Sequence, residues 1–170
     1  MAVHELYLIR HGKAEERGED WPDDAKRPLT DEGIELMRLA TRGLFRLGVT
    51  LDVVLTSPFV RTRQTAEIVA TAFDVRPPVL PVESLTPNGS FQAILSDLEK
   101  QNKRARIGLV GHEPDLGEFA ARLAGLRQGL EFKKGAVCRI DVKTLPPAGA
   151  GSLRWFMTAR MLGAIRKAKT

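Results

Sequence analysis

Leu6-Tyr7-Leu8-Ile9-Arg10-His11-Gly12 is the stretch on which the fold turns. Its four consecutive apolar residues belong to a strand predicted over Val3 to Arg10. An unbroken apolar run describes a strand covered on both faces, not one with an alternating wet side. The run stops abruptly on a cation, an imidazole and a glycine. Two further apolar runs stop in a similar way. Leu51 to Thr56 leads into Ser57-Pro58-Phe59-Val60-Arg61, and Arg106 to Val110 leads into Gly111-His112.

Helical patterns separate these strands. Thr30 precedes Asp31-Glu32, a helix start with acids in its first turn, and Ile34, Met37, Leu39, Leu44 and Leu47 carry that helix to Gly48. Ser57-Pro58 reads as a hydroxyl N-cap followed by proline in the first helical position, opening a second helix to about Phe73. Val79 to Val82 is a short strand, Phe91 to Lys100 a helix, Pro114 to Ala124 another. Ala136 to Val142 and Ser152 to Thr158 are two late strands around a Pro/Gly-rich loop. Strand and helix in alternation predict a single α/β domain of three α/β/α layers around a mostly parallel sheet. Residues 1–159 are expected to form it, with 160–170 as a basic C-terminal tail, a short helix or a frayed end. Ligands of such sheets bind beyond the carboxyl ends of the strands, where His11, Arg61 and His112 are predicted to lie.

The bulk properties exclude several alternatives. A chain of 170 residues, 43% hydrophobic and 28% charged, is globular in composition. The lone Cys138 excludes an internal disulfide framework; it suits a reducing compartment and reads as a buried apolar residue. The first residues hold no basic stretch followed by a long apolar core, so no signal peptide is expected, and no apolar run approaches membrane-spanning length. A cytoplasmic location follows as the expectation. Net charge is +5, carried by Arg154, Arg160, Arg166, Lys167 and Lys169; the rest of the chain balances 21 basic against 21 acidic residues. A solvated basic helix end explains this better than a polyanion-binding tail, and with no aromatic platform beside it no nucleic-acid partner is expected.

The residues at the strand ends form a chemically coherent set. A phosphoryl group carries close to two negative charges and spreads them over its oxygens during transfer. Arginine offers such oxygens a rigid fork of donors and stays charged. A neutral imidazole can attack phosphorus and form a covalent phosphohistidine, and a second can donate to the equatorial oxygens. Each residue also has a bland reading. Arg10-His11-Gly12 is a three-residue match that recurs by chance, His11 alone suits a half-buried structural histidine, Arg61 a helix surface and His112 a turn. Their joint placement weighs against the bland readings. Arg63 lies two residues from Arg61 and points to nearly the opposite helix face, so only one of them faces the pocket easily, and proximity to the strand end favours Arg61. His4 is read as structural or exposed. No third ligand joins the two histidines and no Gly-rich nucleotide loop is present, so neither metal nor cofactor is expected.

Leu8-Ile9-Arg10-His11-Gly12, Ser57-Pro58-Phe59-Val60-Arg61-Thr62-Arg63-Gln64-Thr65-Ala66 and Val110-Gly111-His112 resemble, in order, the three motifs of the histidine phosphatase superfamily, with its phosphoglycerate mutase-like fold. Arg27-Pro28-Leu29-Thr30-Asp31-Glu32-Gly33, Leu85-Thr86-Pro87-Asn88-Gly89 and Gly111-His112-Glu113-Pro114-Asp115-Leu116 resemble the small SixA-type phosphohistidine phosphatases, as does the short chain without room for a large cap insertion. The resemblance implies His11 as nucleophile, with Arg10, Gly12, Arg61 and His112 around the phosphate. Larger relatives carry an acid before the third helix; Glu83 lies near that position, as the candidate general acid or as a solvated loop residue. A phosphorylated imidazole leaves more readily than an alkoxide and has less need of an acid. The expected function is therefore a protein phosphohistidine phosphatase working through phospho-His11, with a phosphorylated protein as partner, as a monomer. A small-molecule phosphomonoesterase of the same fold, acting on a sugar or nucleotide phosphate, and a non-catalytic phosphate-binding protein are the alternatives.

Overall fold

The computed structural model describes residues 3–167. Strand β1, His4–Arg10, lies inside a six-stranded sheet of order β3-β2-β4-β1-β5-β6. The other strands are β2 Val53–Thr56, β3 Val79–Pro81, β4 Arg106–Gly111, β5 Val137–Val142 and β6 Ser152–Met157. β1 pairs in parallel with β4, and β2 with both β4 and β3; β5 runs antiparallel to β1 and to β6. The sheet is mixed, with its parallel part holding all three strand ends singled out above.

The apolar run of β1 is explained by its two covered faces. Leu6 and Leu8 point into one core with Leu55, Leu109, Leu116 and Phe119. Tyr7 and Ile9 point into the other, with Met37, Leu44, Val54, Val69 and Leu162. Helices α3 (Phe91–Glu99) and α4 (Asp115–Ala124) line the first face; α1 (Asp31–Arg46), α2 (Val60–Ala70) and α5 (Ala159–Ala164) line the second. This is a three-layer α/β/α arrangement. Helix α1 begins as its sequence requires, with Thr30 Oγ1 accepting from the Gly33 N–H. α5 packs on α1 through the wholly buried Leu162, while Lys169 of the basic C-terminal group lies outside the described residues. Cys138 is buried in the first core, where burial pushes its thiol up to about 12, an inert apolar filler.

Helix α2 departs from the sequence reading. It starts at Val60 with the extended Phe59 at its N-cap, and no side chain caps it. Ser57-Pro58 is not the cap. Pro58 disfavours helical geometry at Ser57, and the Ser57 hydroxyl takes as its partner His112, just past the end of β4. Helix α4 likewise starts one residue later than read, with Pro114 at its N-cap.

Glycine matters most at Gly33. A Cβ there would sit 2.1 Å from the Lys13 carbonyl oxygen, so only glycine lets α1 press against the chain leaving His11-Gly12. Lys13 in turn accepts from the Thr30 N–H at 3.0 Å.

Candidate active site

The parallel ladder continues one residue past the strands. The His11 N–H donates to the Gly111 carbonyl at 3.2 Å, and the Ser57 N–H to the Val110 carbonyl at 3.0 Å. His11, Ser57 and His112 therefore emerge side by side at the carboxyl ends of β1, β2 and β4. The two imidazoles meet edge to face with centroids 5.3 Å apart, and Phe59 packs on His112 at 5.2 Å. Both histidines are buried.

Hydrogen bonding settles the protons on these rings. His11 Nδ1 lies 2.7 Å from the Gly12 carbonyl oxygen. A carbonyl only accepts, so in the neutral ring Nδ1 carries the hydrogen and Nε2 keeps its lone pair. Burial lowers the His11 pKa to about 4; the Gly12 carbonyl opposes the shift, and Arg61, Arg10 and Arg27 add to it. Burial, His11 and Arg61 lower that of His112 to about 3. Both rings are neutral at pH 7. His112 Nε2 lies 2.9 Å from Ser57 Oγ, which also accepts from the Phe59 N–H at 3.3 Å. Among the described residues the Ser57 hydroxyl has no other acceptor, which assigns its proton to Nε2 and the His112 ring hydrogen to Nδ1.

Arg61 is 2% exposed. Its Nη1 donates to the Asp24 carbonyl at 2.7 Å and its Nη2 to Asp24 Oδ2 at 2.9 Å. Arg10 Nη1 donates to the Phe132 carbonyl at 2.6 Å. Burial lowers the pKa of both guanidiniums, yet arginine stays protonated. Among the described residues, the buried side-chain nitrogens with no partner in the chain are Arg10 Nε, Arg61 Nε, His112 Nδ1 and the distant Arg106 Nε. Buried donors are almost always satisfied, so three unsatisfied N–H groups on neighbouring residues form a donor set suited to an oxyanion.

The remaining sequence candidates divide. Gly12 donates its N–H to Thr65 Oγ1 in α2 at 3.1 Å, tying the turn after β1 to that helix. Glu83 opens the 3-10 turn Glu83–Leu85 after β3; it is exposed and its carboxylate makes no hydrogen bond or ion pair within the described residues. Arg63 is exposed on α2, and His4 bonds the Arg104 carbonyl at the far end of β1. No group of three or more His, Cys, Asp or Glu side chains among the described residues has metal-site geometry. No helix among them is long and apolar enough to cross a membrane.

Four contributors escaped the sequence reading. Asp24, in the acid-rich loop after Gly12, grips Arg61. Arg27 joins it, Nε and Nη2 donating to Asp24 Oδ1 at 3.0 and 2.9 Å. Ser57 orients His112. Glu113 accepts from the Phe132 N–H at 3.4 Å and the Gly117 N–H at 2.8 Å, and so holds the carbonyl that anchors Arg10. Arg27, Ser57 and Glu113 stand in quoted motifs, but nothing local points to their partners.

Residues 6–86 match the family model of the histidine phosphatase superfamily (branch 1). An uncharacterised protein of Picosynechococcus sp. is 42% identical over 137 residues, spanning 78% of this chain and 82% of the relative. The phosphohistidine phosphatase SixA of Escherichia coli K12 is 28% identical over 156 residues, 91% of this chain and 93% of its own. Among solved structures, the protein histidine phosphatase SixA complexed with tungstate superposes with a TM-score of 0.81 at 26% identity, covering 92% of this chain and 97% of that one.

Proposed function

The chain belongs to the histidine phosphatase superfamily, and on that premise we propose that it removes phosphoryl groups from phosphohistidine side chains of proteins through a covalent phospho-His11 intermediate. The observation that carries this reading is the neutral, buried His11, its Nδ1 proton held by Gly12, beside three unpartnered N–H donors on Arg10, Arg61 and His112.

In the first step the His11 Nε2 lone pair attacks phosphorus. A P–Nε2 bond forms as the bond to the substrate imidazole breaks, and the departing nitrogen keeps that electron pair and takes a proton from solvent. His11 Nδ1 retains its proton, and the Gly12 carbonyl stabilises the positive ring. Arg10 Nε–H, Arg61 Nε–H and His112 Nδ1–H donate to the equatorial oxygens, whose charge grows in the transition state. In the second step water attacks phosphorus, the P–Nε2 bond breaks, His11 is regenerated neutral and inorganic phosphate leaves. Glu83 is the candidate acid for substrates whose leaving group needs one. Its exposure and lack of partners favour a substrate that does not.

The test is a substrate panel, a phosphohistidine protein beside sugar and nucleotide phosphates, with wild type and His11→Ala in parallel. Phosphohistidine turnover and acid-labile phosphoenzyme in wild type, both abolished by His11→Ala, are expected. Turnover surviving the substitution would sink the nucleophile assignment. Preference for small esters would transfer the reading to a phosphomonoesterase, and phosphate binding without turnover to a binding protein.

A further inference from the structure

Arg61 is buried and Arg27 largely so, with side chains 3% and 12% exposed, and both bear on His11. Two desolvated guanidiniums at close quarters repel each other, and each lowers the proton affinity of His11. Asp24 is the carboxylate that meets both. Its Oδ1 accepts from Arg27 Nε and Nη2 and lies 3.3 Å from Arg17 Nε, while its Oδ2 accepts from Arg61 Nη2 at 2.9 Å. Its main-chain carbonyl accepts from Arg61 Nη1 at 2.7 Å. One residue thus holds both terminal nitrogens of Arg61. A planar fork anchored at two points cannot rotate in its plane, and its buried Nε–H stays without a partner among the described residues.

The anchor is itself braced. Asp24 opens the 3-10 turn Asp24–Lys26, where Asp23 Oδ1 caps the Ala25 N–H at 3.0 Å. Arg27 Nη1 donates to the Glu15 carbonyl at 2.6 Å, stapling the two limbs of the loop together. Burial works to raise the Asp24 pKa, but hydrogen bonds from Arg27 and Arg61 outweigh it and hold it below the usual carboxylate range. The group is a permanent anion, unsuited to protonating a leaving group.

We infer that Asp24 is a positioning residue for phosphoryl transfer, a carboxylate strut that neutralises the Arg27–Arg61 pair and fixes the plane in which Arg61 meets the phosphoryl oxygens. This rests on the reading of Arg61 as an oxyanion donor.

A double-mutant cycle tests it on the full chain, with kcat/KM and orthovanadate inhibition as readouts. Arg61→Ala is expected to lower kcat/KM by about 10²–10³-fold. Asp24→Ala should lower it by roughly 10–100-fold and weaken vanadate in parallel, but by less than about threefold in the Arg61→Ala background. Asp24→Asn, which keeps the shape and one acceptor, should recover only part of the loss and serves where Asp24→Ala fails to fold. An equal loss from removing the Asp24 carboxylate in both backgrounds would overturn the strut while leaving Arg61 as donor. An Arg61→Ala enzyme of undiminished kcat/KM would overturn both.

Discussion

Lowering the pH from 7.5 to 5.5 separates a buried neutral His11 from an ordinary solvated one. Nε2 must be unprotonated to attack phosphorus. A histidine at the usual value near 6.5 is only about 9% neutral at pH 5.5, so the first step would slow about tenfold. Burial, with Arg61, Arg10 and Arg27 adding their field, brings His11 to about 4, which leaves about 97% of it neutral at the same pH. The nucleophile is expected to lose almost nothing across this range. Because the phosphoryl group itself titrates near pH 6, the decisive assay is ring NMR of the labelled histidines from pH 7.5 down to 3.5, read beside kcat/KM. Stability carries the same signature. Below about pH 6.5 the unfolded chain takes up a proton that folded His11 refuses until about 4, so stability falls as pH drops through that window. The separation of about 2.5 between the two values is worth about 3 kcal/mol, visible as a lowered urea midpoint at pH 4.5. A His11 ring that titrates near 6.5, with a midpoint flat between pH 7 and 4.5, would show an ordinary solvated histidine in place of a buried neutral one.

Ser57→Ala removes the hydroxyl that faces His112 Nε2 and is expected to lower kcat by about 3–10-fold while the fold is retained, the worth of one neutral hydrogen bond; stopped-flow phosphoenzyme formation checks it. Glu83→Gln should leave phosphohistidine turnover within about threefold, since an imidazole leaving group has little need of an acid, and a loss beyond about a hundredfold would make Glu83 the acid. Gly33→Ala places a Cβ 2.1 Å from the Lys13 carbonyl and should destabilise the chain by about 1–3 kcal/mol in denaturant titration. Cys138→Ser is expected to leave the nucleophile chemistry intact while lowering stability, because it buries a hydroxyl in the apolar core, and phosphoenzyme yield beside thermal melting checks both.

Two kinds of information were legible at different distances along the chain. The unbroken apolar run in β1 could be read because burial on both faces is a property of consecutive residues. Helical spacing puts Arg61 and Arg63 on different faces and nearness to the strand end singles out Arg61; the structure buries the one and exposes the other. Ser57 was misread because capping signals are local. Its hydroxyl answers to His112, 55 positions away, and no dipeptide preference anticipates that competition. Asp24 was invisible for the same reason. In the acid-rich loop it looks like its neighbours Asp20 and Asp23, and only closure of the loop onto α2 brings it to Arg61, 37 positions on.

The order of strands and helices, and the arginine and two histidines at the strand ends, were determined by the sequence alone, since periodicity and chain termination of apolar runs are short-range facts. The proton positions on His11 and His112, their low proton affinity and the direction of the Arg10 and Arg61 donors were decided only by tertiary structure. Those properties come from desolvation and from partners on other elements, the carbonyls of Asp24 and Phe132 and the hydroxyl of Ser57, which meet only when β1, β2 and β4 stand side by side and the loops after them close.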